Sequence, residues 1–210
     1  GNSADAVGLL EKTLTSSPEW LQGYKLVAQV YHRQGNLQSA LGAYELGLKV
    51  ARDDAFLMAG KAMLLEASGD YVAAADVYEL LLKKQPNSHA IKNNYALLLV
   101  SHESYKTPAR VKKAQALVTE FAALKSPVLQ DTYGWVLYHA GDYRGAENVL
   151  RLANEQMAGN PEILFHLASA LVAQNDPVKS RAAKSYIAQA REKSPDNALI
   201  KKLDELEAKI

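Results

Sequence analysis

The stretch Asp131–Ala146, DTYGWVLYHAGDYRGA, decides the fold. It reads as turns of a helix rich in aromatic and aliphatic side chains, then a Gly-Asp break, then the start of a second helix with a small residue where two helices must touch. Gly134 and Ala146 are the small residues, and Gly141 marks the break. If the same spacing recurs, the chain is built by stacking one helical hairpin on the next.

It does recur. Small residues on a first helix fall at Ala28, Ala62, Ala96, Gly134 and Ala168, successively 34, 34, 38 and 34 positions apart. Gly35, Gly69 and Gly141 each follow their small residue by seven, and Ala40, Ala74 and Ala146 follow it by 12. Tyr31, Leu65, Leu99, Leu137 and Leu171 occupy matching places on the first helices, and Tyr44, Tyr78 and Leu150 on the second. A period of this length marks a unit that cannot bury its apolar face alone and needs its neighbours.

The pattern of small residue, aromatic or aliphatic three later, Gly before the turn, Ala in the second helix and Pro at the end (Pro18, Pro86, Pro195) resembles the tetratricopeptide repeat (TPR) family. The resemblance covers nearly the whole chain. It implies an all-α, right-handed superhelical solenoid of antiparallel helix pairs, about 12 helices, with a concave groove lined by first helices. The expected divisions are 1–17, the second helix of a truncated repeat; 18–52, 53–86, 87–126 with an insertion, 127–158 and 159–195 with a short insertion, the five repeats; and 196–210, an amphipathic capping helix. Because the first helix has no partner ahead of it, upstream sequence is expected to be missing, and Gly1 is compatible with a residue left by tag removal.

Local signals refine this frame. Ser17-Pro18, Ser126-Pro127, Asn160-Pro161 and Ser194-Pro195 read as capped helix starts, because a short polar side chain can accept from free N–H groups and proline tolerates the first helical position. In the third repeat Ala96 and Ala114 are 18 apart with no Gly between them, and Thr107-Pro108 predicts a longer second helix, Pro108 to Lys125, after a longer loop, His102 to Lys106. In the fifth, Asp176-Pro177 plays the same part, with Ala183 fifteen after Ala168. Leu199, Leu203, Leu206 and Ile210 form the apolar stripe of the last helix.

Composition narrows the chemistry. The 210 residues are 48% apolar, enough for a substantial core. With 24 basic and 23 acidic residues there is no net field to gather a polyanion, so nucleic acid is not expected as a partner. No cysteine is present, which removes disulfides and thiolate chemistry. No apolar run reaches the roughly 20 residues that span a bilayer, so no membrane contact by these residues is expected. No phosphate-binding glycine loop and no Ser-His-Asp arrangement occurs, and no cofactor or enzymatic activity is expected.

What the resemblance implies about binding follows from its groove positions. Lys25 and Gln29 fall there from the first repeat, Phe56 and Met63 from the second, and Asn93 and Asn94 from the third. The fourth gives Asp131, Trp135, Tyr138 and His139, and the fifth Phe165 and His166. Exposed aromatics here would anchor an extended segment or a helix, Trp135 first, since interface hot spots favour Trp and Tyr; the competing reading is that they pack between adjacent first helices. The carboxylate clamp of chaperone-binding relatives is present only in fragments, Lys25 and Asn94, with Gln29, Gly60 and Ala90 at its other positions. Asp131, His139 and His166 are close enough in the frame to raise a metal or acid–base site, but lack a recognised ligand spacing. Lys106, Arg110, Lys112 and Lys113 read as a solvated helix face rather than a polyanion site.

The expected role is therefore a non-catalytic scaffold for a protein or peptide partner. The alternative is a structural module that self-associates, through the uncovered N-terminal helix or the insertion of the third repeat. The groups Asp131, Thr132, Gly134 and Trp135, and Asn160 to Ile163 with His166 to Ala168, are similar to the C-terminal repeats of bacterial envelope TPR lipoproteins, including those of PEP-CTERM/exosortase and exopolysaccharide systems. That similarity implies a periplasmic or envelope location, with the cytoplasm as the alternative.

Overall fold

A computed structural model describes residues 2–193 and 195–210. The expected cap Ser194 and the leading Gly1 lie outside the described residues. Among those described there are twelve α-helices and no strand: α1 (Asn2–Ser16), α2 (Leu21–Arg33), α3 (Leu37–Val50), α4 (Ala55–Ala67), α5 (Tyr71–Lys84), α6 (His89–Ser101), α7 (Pro108–Val118), α8 (Pro127–His139), α9 (Tyr143–Gln156), α10 (Pro161–Val172), α11 (Pro177–Glu192) and α12 (Asn197–Glu207). The chain forms two compact units, Gly1–Ile91 and Lys92–Ile210.

The break between paired helices uses two residues with separate tasks. Gly35, Gly69 and Gly141 have φ of 74°, 86° and 85°, in the left-handed region that a Cβ disfavours, and so end α2, α4 and α8. The next residue starts the following helix: Asn36, Asp70 and Asp142 accept from the backbone N–H of Ser39, Ala73 and Gly145. After α10 the same device appears without glycine. Asn175 takes φ 53° and Asp176 accepts from Val178 and Lys179; asparagine tolerates this region better than other side chains.

In the first unit, α2 packs on α3, α3 on α4, α4 on α5, and α1 on α2. Ala28, Ala40 and Ala62 are buried at these crossings, and Tyr24, Val27, Tyr44, Leu57 and Leu64 fill the space they leave. Gly60 is needed there: a Cβ would stand 2.6 Å from the Tyr44 ring. In the second unit, α8 packs on α9, α9 on α10, α10 on α11, and α12 covers α10 and α11. Leu150 fills the site beside Gly134, where a Cβ would lie 2.6 Å from its Cγ. Leu199, Leu203 and Leu206 of α12 are buried, as the amphipathic stripe requires.

Three local expectations are corrected. The second helix of the third repeat stops at Val118 and continues as a 3₁₀ helix, Thr119–Ala123, instead of running to Lys125. The tighter winding goes with a fully buried Phe121, and Gln130 Nε2 donates to the Leu124 carbonyl beyond it at 2.9 Å. Ser126 precedes Pro127 but makes no side-chain capping bond. Pro18 lies in a turn ahead of α2, whose first residue is Leu21, so Ser17 does not cap that helix.

Candidate protein-binding surface

In the first unit the expected groove residues remain open. Lys25 Nζ sits 4.4 Å from the centre of the Phe56 ring, linking α2 to α4. Phe56 and Met63 are 41% and 56% exposed, and Gln29 is exposed on α2, one helical turn after Lys25. Gly60, a clamp position in the family frame, is occupied from behind by Tyr44 and offers no side chain.

In the second unit most of the aromatics are spent on one another. Trp135 is only 9% exposed and Phe165 8%, which corrects the expectation of exposed anchors. The Trp135 ring stacks on His166 with centroids 4.0 Å apart and on Tyr138 at 4.7 Å, while His139 meets it edge-on at 4.5 Å and Phe165 lies tilted against it at 5.7 Å. Its Nε1 donates to Ser101 Oγ at 3.4 Å. His166 and Phe165 come from the next repeat, so these aromatics pack between adjacent first helices, in line with the competing reading. Asp131 and His166 do meet, with Oδ1 and Nδ1 2.8 Å apart. Among the described residues no group of three or more His, Asp or Glu side chains could hold a metal ion.

Asn93 is also committed. Thr132 Oγ1 donates to its Oδ1 at 2.7 Å, and its Nδ2 donates to Asn94 Oδ1 at 3.2 Å. Residues of α6, α8 and α10 are therefore cross-tied through Asn93–Thr132, Ser101–Trp135 and Asp131–His166. Tyr138 remains half-buried at the margin of the aromatic cluster, its phenol pushed up by burial.

His139 has an environment the sequence did not disclose. Lys106 Nζ lies 3.3 Å from its Nδ1. An ammonium can only donate, so Nδ1 accepts and the ring's proton sits on Nε2, which is buried with no hydrogen-bond partner among the described residues. Burial, followed by the neighbouring Lys106 charge, lowers its pKa to about 4. Lys106 also pairs with Glu103, Arg110 stacks 3.7 Å over Tyr105, and Lys113 faces Tyr95, so most of the basic cluster is engaged within the fold.

A second polar centre lies behind α10. Glu147 of α9 receives Lys179 Nζ at 2.6 Å, Gln174 Nε2 at 2.8 Å and Arg151 at 2.9 Å. Burial opposes its ionisation, but these donors outweigh it and hold the carboxyl at about 2. Only the Glu147–Arg151 pair, four apart on one helix, is visible in sequence.

Two tetratricopeptide repeat models match the sequence, one over residues 28–89 and one over residues 137–203, together more than half of the chain. The chain belongs to the TPR family. A TPR repeat-containing protein of Pseudomonas aeruginosa is 24% identical over 170 residues, 80% of this chain and 28% of that protein. The chain thus spans under a third of that relative's length. Among solved structures, a TPR protein of Parabacteroides merdae superposes with a TM-score of 0.77 at 17% identity, over 99% of this chain and 80% of that one. A thermophilic TPR protein of Thermus thermophilus gives 0.70 at 18% identity, over 89% and 98%. YrrB, described as a TPR protein with an unusual peptide-binding site, gives 0.58 at 18% identity, over 90% and 94%. The TPR fold is that of a protein–protein interaction scaffold, and no described helix is long and apolar enough to cross a membrane.

Proposed function

We propose that this chain is a non-catalytic scaffold whose first helices hold a protein or peptide segment, within a bacterial envelope assembly. The observation that carries the binding is on α4. Phe56 and Met63 are seven positions apart, hence on one face of a first helix, and both are left exposed there. Aromatic and Met side chains are the types that interfaces enrich. Lys25 against the Phe56 ring adds a positive flank.

In the second unit the contribution is a rigid platform. Trp135 stacks on His166 and Tyr138 and meets His139 edge-on, and Asp131 is tied to His166, so that little ordering cost remains when a ligand meets them. YrrB's peptide-binding description supports a segment as the ligand class, and the similarity of the Asp131 and Asn160 groups to envelope lipoproteins supports the compartment.

The test is affinity capture from the host's envelope extract with wild-type chain and a Phe56→Ser, Met63→Ser double variant of equal helicity. At least one partner is expected to be lost with the variant, and a Tyr138→Ala chain tests the second unit's platform by itself, with weaker recovery of at least one partner expected. Recovery of the same proteins in equal amounts by all three chains would remove the first-helix face as the binding surface. Fractionation of the full-length protein in its host checks the compartment independently; recovery from the cytosol alone removes the envelope reading.

A further inference from the structure

Methionine supplies all the sulfur in this chain, because the sequence has three methionines and no cysteine. The fold treats the three differently. Met58 is 6% exposed, set where α3, α4 and α5 meet. Met157, just past the end of α9, is half-buried, and Asn160 Nδ2 donates to its Sδ at 3.5 Å, which occupies one sulfur lone pair. Met63 is 56% exposed and shares its face of α4 with Phe56. An oxidant arriving from solvent therefore meets the Met63 thioether first.

The chemistry of that encounter is a two-electron transfer. The sulfur attacks one oxygen of hydrogen peroxide, an S–O bond forms as the O–O bond breaks, and the other oxygen leaves as water. The thioether is oxidised and the peroxide reduced. A flexible apolar side chain becomes a polar sulfoxide. At Met58 the new oxygen would be forced among buried neighbours and would disrupt the fold. At Met63 it has solvent to meet, so the helices are kept and the apolar face shared with Phe56 is what is lost. Burying that oxygen under a partner's apolar surface would leave it without a hydrogen bond, which opposes binding. Methionine sulfoxide reductases run the change backwards: two thiols become a disulfide, and the sulfoxide oxygen leaves as water.

We propose that Met63 is a reversible, peroxide-sensitive switch on the α4 face: the thioether holds the partner and the sulfoxide releases it. This rests on the reading of Phe56 and Met63 as a binding surface. The surface position is what makes the oxidation a switch, since binding changes while folding does not.

The chain is exposed to hydrogen peroxide, freed of it, mapped by peptide mass spectrometry and used for capture from the same envelope extract, beside the Phe56→Ser, Met63→Ser variant. Met63 is expected to carry sulfoxide before Met58 and Met157, with helicity and melting temperature unchanged. The oxidised chain should lose the partners that the double variant loses, and regain them after treatment with the reductases for both sulfoxide epimers. Met63→Leu should hold those partners before and after peroxide, and Met63→Gln, polar and of similar length, should lack them throughout. Sulfoxide appearing first at Met58 or Met157 would overturn the proposal, as would loss of the partners from a peroxide-treated Met63→Leu chain. Partners kept by the oxidised chain and lost by the double variant would overturn the switch and leave the binding face standing. A double variant that loses no partner removes the binding face itself, and the switch with it.

Discussion

His139 shows how much one side chain's surroundings decide. Its ring is held neutral because burial and the Lys106 ammonium both disfavour a second proton, and its pKa stands at about 4 against 6.5 for a free histidine. In the unfolded chain the ring takes up a proton as pH falls through 6.5, whereas in the folded chain it resists until about 4. The stability this gives is therefore full above pH 6.5 and is lost on the way down to 4, at most about 3 kcal/mol in all. Melting temperature should fall steadily across that window, and a His139→Gln chain should show a flatter profile between the same limits, read by circular dichroism. Glu147 acts lower: with its carboxyl held at about 2, its contribution disappears only below the ordinary carboxylate value of 4.5. A His139→Gln chain with an undiminished slope between pH 6.5 and 4 would mean that another group carries it. None of this is legible in sequence, where His139 is a histidine near a helix end; Lys106 lies 33 positions away.

The helices are legible where a local rule has no substitute. Positive φ calls for glycine and a free helix start calls for a short acceptor, so Gly35-Asn36, Gly69-Asp70 and Gly141-Asp142 announce their turns. Where a rule has alternatives, reading becomes harder: Asn175-Asp176 performs the same turn without glycine, and Ser126 stands in a capping position without making the bond. The end of α7 is set by the burial of Phe121, a tertiary demand that the helical pattern from Pro108 to Lys125 does not contain. The distinction between caps is measurable. Asp142 Oδ1 accepts from Gly145 N at 2.9 Å, so Asp142→Ala should cost about 1 kcal/mol in urea unfolding. Ser126→Ala, which removes no capping bond, should stay within about 0.5 kcal/mol of wild type. Equal losses at the two positions would show that the side-chain bond is not what matters at these helix starts.

Across the chain, the repeat makes stability a matter of neighbours, and it also limits what sequence can say about the binding face. Residues that recur, such as Gly134 and Leu150, are the ones that stack, and their period makes them readable. The exposure of the others depends on the adjoining repeat: Trp135 is covered by Phe165 and His166, 30 and 31 positions on, whereas Phe56 and Met63 meet nothing comparable. The two matched TPR segments, residues 28–89 and 137–203, fall one in each compact unit. In such an array a lesion should spread through adjoining helices before it reaches distant ones. Leu150 is fully buried on α9, against Gly134 of α8, and α9 also packs on α10. Leu150→Ala leaves a cavity worth about 2–5 kcal/mol. Amide exchange followed by mass spectrometry should quicken first in α8, α9 and α10, while α2 and α3 keep their wild-type rates. Uniform acceleration from α2 to α11 would show one cooperative block, in which the period seen in the sequence is not the unit of stability.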